Sequence, residues 1–197
     1  MRKVIVSMNV TLDGFMAGPN CELDWHFKYW NEEMAKEAAE QLNKADTILL
    51  GRITYLALAD YWPFQPLNPN FARQDMAYAD MMNNHRKIVF SSTLKDTRWN
   101  NSVVKKDSLK NAVCHLKQQS GKEILVLGSG TLVASLIEYN LIDEYQLWVH
   151  PVTLGKGKLL FKNSEIKNSL KLVKEKEFES GVVIHFYIPA CINDEFK

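Results

Sequence analysis

The stretch "ILVLGSGTLVASLIEYNLIDEY" (124–145) joins a short apolar run, a glycine-rich turn and an apolar helical pattern. Its turn is Gly128-Ser129-Gly130-Thr131, and the helical periodicity begins directly after it. A strand that turns tightly into a helix can bind a phosphate, because backbone N–H groups and the helix dipole face the anion. Glycines also occupy such turns for steric reasons alone. The stretch therefore predicts a strand–turn–helix unit and leaves phosphate binding open.

The glycine pair does not match a standard nucleotide fingerprint. Val133 stands where the Rossmann pattern G-x-G-x-x-G requires its third glycine, and the motif lies late in the chain. A Walker loop is excluded because no G-K-[ST] follows. A phosphate site here needs support from other parts of the sequence.

The rest of the chain repeats the alternation of strand and helix. Strands are predicted at 3–10, 47–50, 87–91, 123–128 and 144–152, and a final hairpin joins 169–179 to 182–188. Helices are predicted at 31–45 (with Asn31 as its N-cap), 52–62, 72–85, 107–119 and 131–139. This order predicts a single α/β domain over 1–197, with a central, mostly parallel sheet, helices on both faces and a C-terminal antiparallel hairpin.

Composition excludes several classes of protein. An apolar content of 46%, a charged content of 24% and a net charge of +1 are typical of a soluble domain that binds neither nucleic acid nor anionic lipid. No window reaches transmembrane length. Cys21, Cys114 and Cys191 form no C-x-x-C pair, and the five histidines show no ligand spacing, so we expect a cytoplasmic protein without a metal.

Three predicted strands end in small or polar hydrogen-bond donors, in "ILLGRITY" (48–55), "IVFSSTL" (88–94) and "LVLGSGT" (125–131). Because the carboxyl ends of parallel strands meet at one edge of a sheet, we expect these donors to converge and to suit a ligand with several phosphates. The candidate cofactor-binding residues are Gly51, Arg52, Thr54, Ser91, Ser92, Thr93, Gly128, Ser129, Gly130, Thr131 and Leu132.

Arg52 is the most informative of these residues. It stands in the first turn of a predicted helix, where a cation opposes the helix dipole by roughly 0.3–1 kcal/mol. A bound anion would reverse that effect through charge-assisted hydrogen bonds. A solvated arginine is the alternative.

A long loop at 12–30 supplies the second group of candidates. Long loops in compact domains are often binding loops, and the aromatic side chains of Trp25 and Tyr29 can stack on a planar ring. His150, at the end of a predicted strand, can face the same edge. We assign these three residues to a substrate site, with anchoring of the loop to the core, or a structural histidine, as the alternative. Asp13 is the first candidate for proton donor or water-orienting group, although its Asp-Gly pair also predicts a turn.

The order of four blocks resembles the bacterial dihydrofolate-reductase-like family over about residues 2–188. The blocks are "SMNVTLDGFMAGPNCELDW", "ADTILLGRITYLALADYWP", "KIVFSSTL" and "ILVLGSGTLVASLIEYNLIDEYQLWVHPVTLGKGKLLF". The family includes the C-terminal reductase domain of the bifunctional riboflavin-biosynthesis deaminase/reductase.

The resemblance implies NADPH as cofactor. The turn 128–131 would receive the pyrophosphate and nicotinamide side, the turn at 51–54 would close on the phosphates, and Ser91–Thr93 would hold the adenosine 2′-phosphate. Asn9, Met16 and Ala17 would flank the nicotinamide. The family also suggests a homodimer.

One departure bears on the substrate. True dihydrofolate reductases carry a carboxylate a few residues after the loop tryptophan, whereas here His26, Phe27, Lys28, Tyr29 and Trp30 follow Trp25. We therefore predict an NADPH-dependent reductase of a C=N or C=O bond in a small, pteridine- or pyrimidine-like substrate. Alternatives are 5-amino-6-(5-phosphoribosylamino)uracil reductase and a non-catalytic NADPH-binding protein.

Overall fold

The computed structural model describes residues 1–162 and 169–190, which form a central sheet covered by helices. Its strands are β1 (Val4–Thr11), β2 (Phe15–Ala17), β3 (Ala45–Gly51), β4 (Arg86–Phe90), β5 (Ser102–Lys105), β6 (Glu123–Leu127), β7 (Glu144–His150), β8 (Lys158–Leu159), β9 (Leu170–Glu177) and β10 (Val183–Pro189). Its α-helices are α1 (Asp24–Phe27), α2 (Glu32–Asn43), α3 (Arg52–Ala59), α4 (Met76–Asn84), α5 (Leu109–Gln118) and α6 (Gly130–Glu138).

The main sheet has the strand order β5-β4-β3-β6-β1-β7-β10-β9. The strands from β5 to β7 pair in parallel, and β10 pairs antiparallel with both β7 and β9. The predicted fold class is thereby confirmed: a mostly parallel sheet carries an antiparallel hairpin at its C-terminal end.

Strand β1 lies between β6 and β7, and its two faces pack in different cores. Val4, Val6, Met8 and Val10 face the core beneath α5 and α6, whereas Ile5 belongs to the core beneath α2, α3 and α4. Side chains alternate between the faces of a strand, so burial on both faces requires a nearly continuous apolar run. The segment 4–10 has such a run.

The structure adds elements that the sequence did not predict. Strand β5 extends the sheet beyond β4, and β2 pairs with β8 in a two-stranded antiparallel ribbon. The predicted loop 12–30 contains both β2 and the short helix α1, and a 3₁₀ helix covers Trp62–Leu67 in the proline-rich segment. Of the three cysteines, Cys191 lies outside the described residues. None of the helices in the described ranges is long and apolar enough to cross a membrane.

Lys87 is a fully buried lysine that completes the C-terminus of α4. Its Nζ atom donates to the carbonyl oxygens of Met82, Asn83 and His85 at 2.8, 3.0 and 2.8 Å, and lies 4.3 Å from the ring centroid of Trp99. Burial lowers the pKa of Lys87 to about 8. The last carbonyls of a helix lack intrahelical donors, so this ammonium group supplies donors that α4 cannot provide itself.

Replacing Lys87 with Met tests this role. The variant leaves buried carbonyls without a donor, which costs about 1–3 kcal/mol. We therefore expect the free energy of unfolding, measured by urea denaturation at pH 7, to fall by that amount. Lys36→Met, at an exposed position on α2, is the control and should leave the stability nearly unchanged. Equal stability of the two variants would show that the buried ammonium group contributes nothing.

Candidate functional site

A cavity of about 710 Å³ lies at the carboxyl ends of β3, β4 and β6. Every residue predicted from the three strand ends lines it: Gly51, Arg52, Thr54, Ser91, Ser92, Thr93, Gly128, Ser129, Gly130, Thr131 and Leu132. Met16 and Ala17, from the β2–β8 ribbon, line it as well. The structure thus brings together all of the predicted cofactor residues except Asn9.

Ser129 joins two of the three strand ends. Gly128 and Ser129 both have left-handed backbones, with φ of 53° and 64°, which turns the chain sharply from β6 into α6. The backbone N–H of Ser129 donates to Thr54 Oγ1 at 3.0 Å, and its Oγ accepts from Gly51 N at 2.9 Å. Ser129 Oγ also donates to the Leu127 carbonyl at 3.1 Å. These bonds fix the beginnings of α3 and α6 side by side.

Both helices begin at the cavity without a side-chain cap. Gly51 is the N-cap of α3 and has no side chain that could cap it. Ser129 is the N-cap of α6, and its hydroxyl group makes no capping hydrogen bond to that helix. First-turn N–H groups have no intrahelical acceptor, and each helix N-terminus carries a partial positive charge. Two such ends, held together, provide a set of donors that suits a phosphate or pyrophosphate group.

Gly130, at the N-terminus of α6, lies directly against the thioether of Met16. A Cβ atom at this position would displace the flexible end of the Met16 side chain and leave the backbone in place. A small residue at this turn therefore shapes the cavity whether or not it touches a ligand.

The cavity wall is rich in cations. Among the described residues, the side chains of Arg52, Lys105, Lys106 and Lys158 line it, together with one carboxylate, Asp107. Lys105 Nζ lies 3.8 Å from an oxygen of Asp107, and both side chains are substantially exposed, so this pair is weak. The sequence prediction missed the lysines at 105 and 106, because they depend on β5.

The Ser91–Thr93 turn closes the same wall. Ser91 Oγ accepts from the N–H groups of Thr93 and Leu94 at 3.2 and 3.0 Å, so this hydroxyl group stabilises its own turn. Ser92 and Thr93 are exposed. The hydroxyl group of Thr93 lies 3.5 Å from Ser91 Oγ, and both exposed side chains lie on the cationic side of the cavity.

The predicted substrate residues form a separate cluster in which Trp25 and His150 are buried and Tyr29 is partly buried. His150 is fully buried, and its ring centroid lies 5.2 Å from that of Trp25 and 5.7 Å from that of Tyr29. His150 Nε2 lies 3.0 Å from Asn9 Oδ1, and Tyr29 donates to the Pro151 carbonyl at 3.3 Å. None of these four side chains lines the cavity, so α1 and its aromatic residues anchor the 12–30 segment, and their role toward a substrate stays a prediction.

Asp13 lies in the turn between β1 and β2 and anchors the loop that follows β7. Its carboxylate accepts from the hydroxyl group of Thr11 and from the N–H groups of Leu154 and Gly155, the latter two at 3.0 and 2.8 Å. These bonds, the one from Thr11 above all, lower the pKa of Asp13. Asp13 also lies outside the cavity lining. Because a carboxylate with a lowered pKa is a weak acid catalyst, the geometry favours the turn alternative, and the role of proton donor stays a prediction.

The titration of His150 gives a testable dependence of stability on pH. Burial, followed by the nearby His26, lowers the pKa of His150 from 6.5 to about 4. Between these values the unfolded chain binds a proton that the folded protein excludes, so this contribution to stability is complete above pH 6.5 and is lost as the pH falls toward 4.

We expect the free energy of unfolding to decrease by roughly 3 kcal/mol across that interval through this group. In His150→Gln, this part of the dependence of stability on pH should be absent, while the site keeps its shape. Urea denaturation from pH 7 to pH 4.5 measures the dependence in both proteins. An identical slope in the two proteins would contradict the assignment.

Comparisons with known proteins agree with this architecture. The family model described as the RibD C-terminal domain matches residues 2–184. The uncharacterized protein YyaP of Bacillus subtilis (strain 168) is 34% identical over 183 residues, covering 92% of each chain. The uncharacterized protein YwjB of the same organism is 26% identical over 185 residues, covering 94% of this chain and 97% of the relative.

Solved structures share the fold. A protein from Shewanella sp. PV-4 that is named for riboflavin biosynthesis has a TM-score of 0.73 at 19% identity, with 96% of this chain and 99% of that chain covered. A diaminohydroxyphosphoribosylaminopyrimidine deaminase/5-amino-6-(5-phosphoribosylamino)uracil reductase from Thermotoga maritima has a TM-score of 0.65 at 17% identity, and the match covers 96% of this chain and 57% of that one. The family match over nearly the whole length shows that this chain belongs to the RibD C-terminal domain family.

Proposed function

We propose that this protein is an NADPH-dependent reductase that delivers hydride to a C=N or C=O bond of a small heterocyclic substrate. The observation that carries the proposal is the pair of uncapped helix N-termini, held together by Ser129 at a cavity whose wall is cationic. A dinucleotide with a 2′-phosphate is a polyanion that matches both features.

The residues present fit NADPH in three parts. The N–H groups at the beginning of α6 and α3 would bind the pyrophosphate, and Gly130 provides the close approach. The 2′-phosphate would bind among Ser92, Thr93 and the two lysines at the end of β5, Lys105 and Lys106. The apolar part of the wall, which includes Ile53, Leu58 and Phe90, suits the adenosine.

The contribution of the protein to the reaction would be mainly positioning. Bound NADPH supplies a hydride at its nicotinamide ring. Met16 and Ala17 of the β2–β8 ribbon would cover that ring and limit access of water, while the fixed helix ends set its orientation. No described residue that lines the cavity is a histidine, so we infer that the proton comes from solvent.

The substrate half of the site favours a pyrimidine-like compound over dihydrofolate. Among the described residues, Asp107 is the sole carboxylate of the cavity lining. It follows β5, on the cationic side of the cavity, and does not come from the segment that contains α1. Glu22, the acid nearest to the lining residue Cys21 in sequence, is engaged by Asn20, which donates to it from both backbone and side chain at 2.7 Å. The uracil reductase of riboflavin biosynthesis is therefore the specific alternative that we favour.

Cofactor binding provides a first test. Calorimetric titration should show micromolar or tighter binding of NADPH and at least tenfold weaker binding of NADH, a difference of about 1.4 kcal/mol. Arg52→Ala should weaken NADPH binding about tenfold by removing one charge-assisted contact. Lys36→Ala, which removes an equal charge far from the cavity, is the matched control. If the protein binds neither nucleotide, the proposed reductase function is excluded. If Arg52→Ala binds NADPH with unchanged affinity, Arg52 makes no contact with the cofactor and is a solvated arginine.

Turnover provides a second test and separates the candidate activities. NADPH oxidation, followed at 340 nm, should accelerate when 5-amino-6-(5-phosphoribosylamino)uracil is added as the hydride acceptor, and much less with dihydrofolate. The kcat/KM value for the uracil compound should exceed that for dihydrofolate by at least about a hundredfold, since loss of a charge-assisted contact to a buried ligand costs roughly 3 kcal/mol. NADPH binding without oxidation of any imine or carbonyl compound would favour the non-catalytic nucleotide-binding alternative.

A further inference from the structure

Lys158 is a cation of the cavity wall that stands apart from the other lysines. It belongs to β8, and in the β2–β8 ribbon it lies opposite Ala17, which also lines the cavity. Met16, the residue before Ala17, packs against Gly130 at the beginning of α6. Lys158 is therefore placed at the end of the cavity that the ribbon closes.

The other two lysines of the lining belong to the opposite end. Lys105 is the last residue of β5, and Lys106 follows it. In the main sheet, β4 and β3 separate β5 from β6, the strand that leads into α6. Neighbouring strands lie about 4.8 Å apart, so three spacings put β5 and β6 roughly 14 Å from each other. Lys105 is turned toward Asp107 and Lys158 toward Cys21, so the two cations serve different parts of a ligand.

No carboxylate neutralises the charge of Lys158. Its Nζ atom donates to Cys21 Sγ, and none of the ion pairs among residues 1–162 and 169–190 includes it. The pKa of Glu22 is lowered by its own backbone N–H and by Asn20 first, and by the charge of Lys158 last. Both oxygens of that carboxylate accept hydrogen bonds from Asn20. Because a thiol is only a weak acceptor, the ammonium group of Lys158 keeps its capacity to bind an anion.

The contact with Cys21 holds this ammonium group at the wall of the cavity. Cys21 and Lys158 both line the cavity, and both are partly buried. Lys156, two residues earlier, is exposed and does not belong to the lining. Since solvent screens a partly buried charge less than an exposed one, an anion gains more at Lys158 than at Lys156.

The surroundings of Lys158 are otherwise apolar. Met16, Ala17 and Leu23 come from the same segment as Cys21 and line the cavity with it. Among the described residues, the one carboxylate of the lining is Asp107, which is at the other end. An apolar wall with a single charged group suits a flat ring that carries an anionic substituent.

We propose that Lys158 determines substrate specificity, because its ammonium group binds an anionic substituent, a phosphate or a carboxylate, on the heterocyclic substrate. This inference rests on the proposed function, in which Met16 and Ala17 cover the nicotinamide and the helix N-termini bind the pyrophosphate. The phosphates of the cofactor then lie along the strand ends from β5 to β6, and the charge at the ribbon is left for the second ligand. The reductase thereby selects acidic derivatives of its heterocycle over neutral ones.

The test uses the protein saturated with NADP⁺, which fills the dinucleotide site without supplying hydride. Two pairs of probes differ in one anionic group: uridine 5′-monophosphate and uridine for a phosphate, and orotate and uracil for a carboxylate. In the wild type, at least one anionic probe should bind about tenfold more tightly than its neutral partner in a nuclear magnetic resonance titration, because a charge-assisted hydrogen bond forms. The pair that shows the difference identifies the anion.

Two variants assign this preference to Lys158. Lys158→Met should reduce it to within about twofold, while NADP⁺ binding stays within about threefold of the wild type. Lys156→Met, which removes the same charge from the exposed neighbour, is the matched control and should keep the full preference. Retained binding of NADP⁺ also shows that each variant is folded.

The outcomes separate the two proposals. If the wild type binds neither NADP⁺ nor NADPH, the proposed function fails. If it binds NADP⁺ and prefers neither anionic probe, the role of Lys158 is overturned while the function stands. A preference that persists in Lys158→Met overturns it as well. The same conclusion follows if Lys158→Met weakens NADP⁺ binding as much as Arg52→Ala does, because Lys158 is then a contact of the cofactor.

Discussion

The hydrogen bonds of Ser129 determine where this molecule concentrates positive potential. A helix N-terminus alone is a modest anion site, worth roughly 0.3–1 kcal/mol at an exposed position. Ser129 binds Gly51 and Thr54 and thereby places a second N-terminus beside the first, without using its hydroxyl group as a cap for α6. The left-handed backbone at Gly128 and Ser129 makes this arrangement possible. Arg52 is the first residue of α3, so its positive charge opposes the dipole of that helix unless an anion is bound nearby.

The convergence of the three strand ends was predictable from the sequence because every part of it is local. Each strand end is an apolar run followed at once by its own polar donors, and parallel pairing is sufficient to bring three such ends together. The neighbouring strand β5 escaped prediction, since "SVVK" (102–105) is too short to show a period. The lysines 105 and 106 were therefore missed, although their charges were visible in the sequence.

The other half of the site depends on contacts between distant segments. The direction of a side chain in the 12–30 loop has no periodic signal, so the sequence left open whether Trp25 and Tyr29 bind a substrate or anchor the loop, and it did not predict their contact with His150. Asp13 illustrates the same limit. Its three hydrogen-bond donors include two backbone groups more than a hundred residues away, and these partners decide that the carboxylate anchors a loop. The Asp-Gly turn was visible, whereas the loop that it anchors was not.

These two halves differ in how they can change during evolution. The half of the site at the ends of β3, β4 and β6 is built from strand ends and helix N-termini, so a substitution at Ser129 disturbs the contact between the beginnings of α3 and α6. The half formed by the 12–30 segment and the loop after β7 is held by side chains, namely Asp13, Trp25 and His150. Loops anchored in this way can alter substrate contacts without moving the sheet. The carboxylate that dihydrofolate reductases carry after the loop tryptophan can therefore be absent while the cavity at the strand ends persists, so one fold can keep that cavity and differ in substrate.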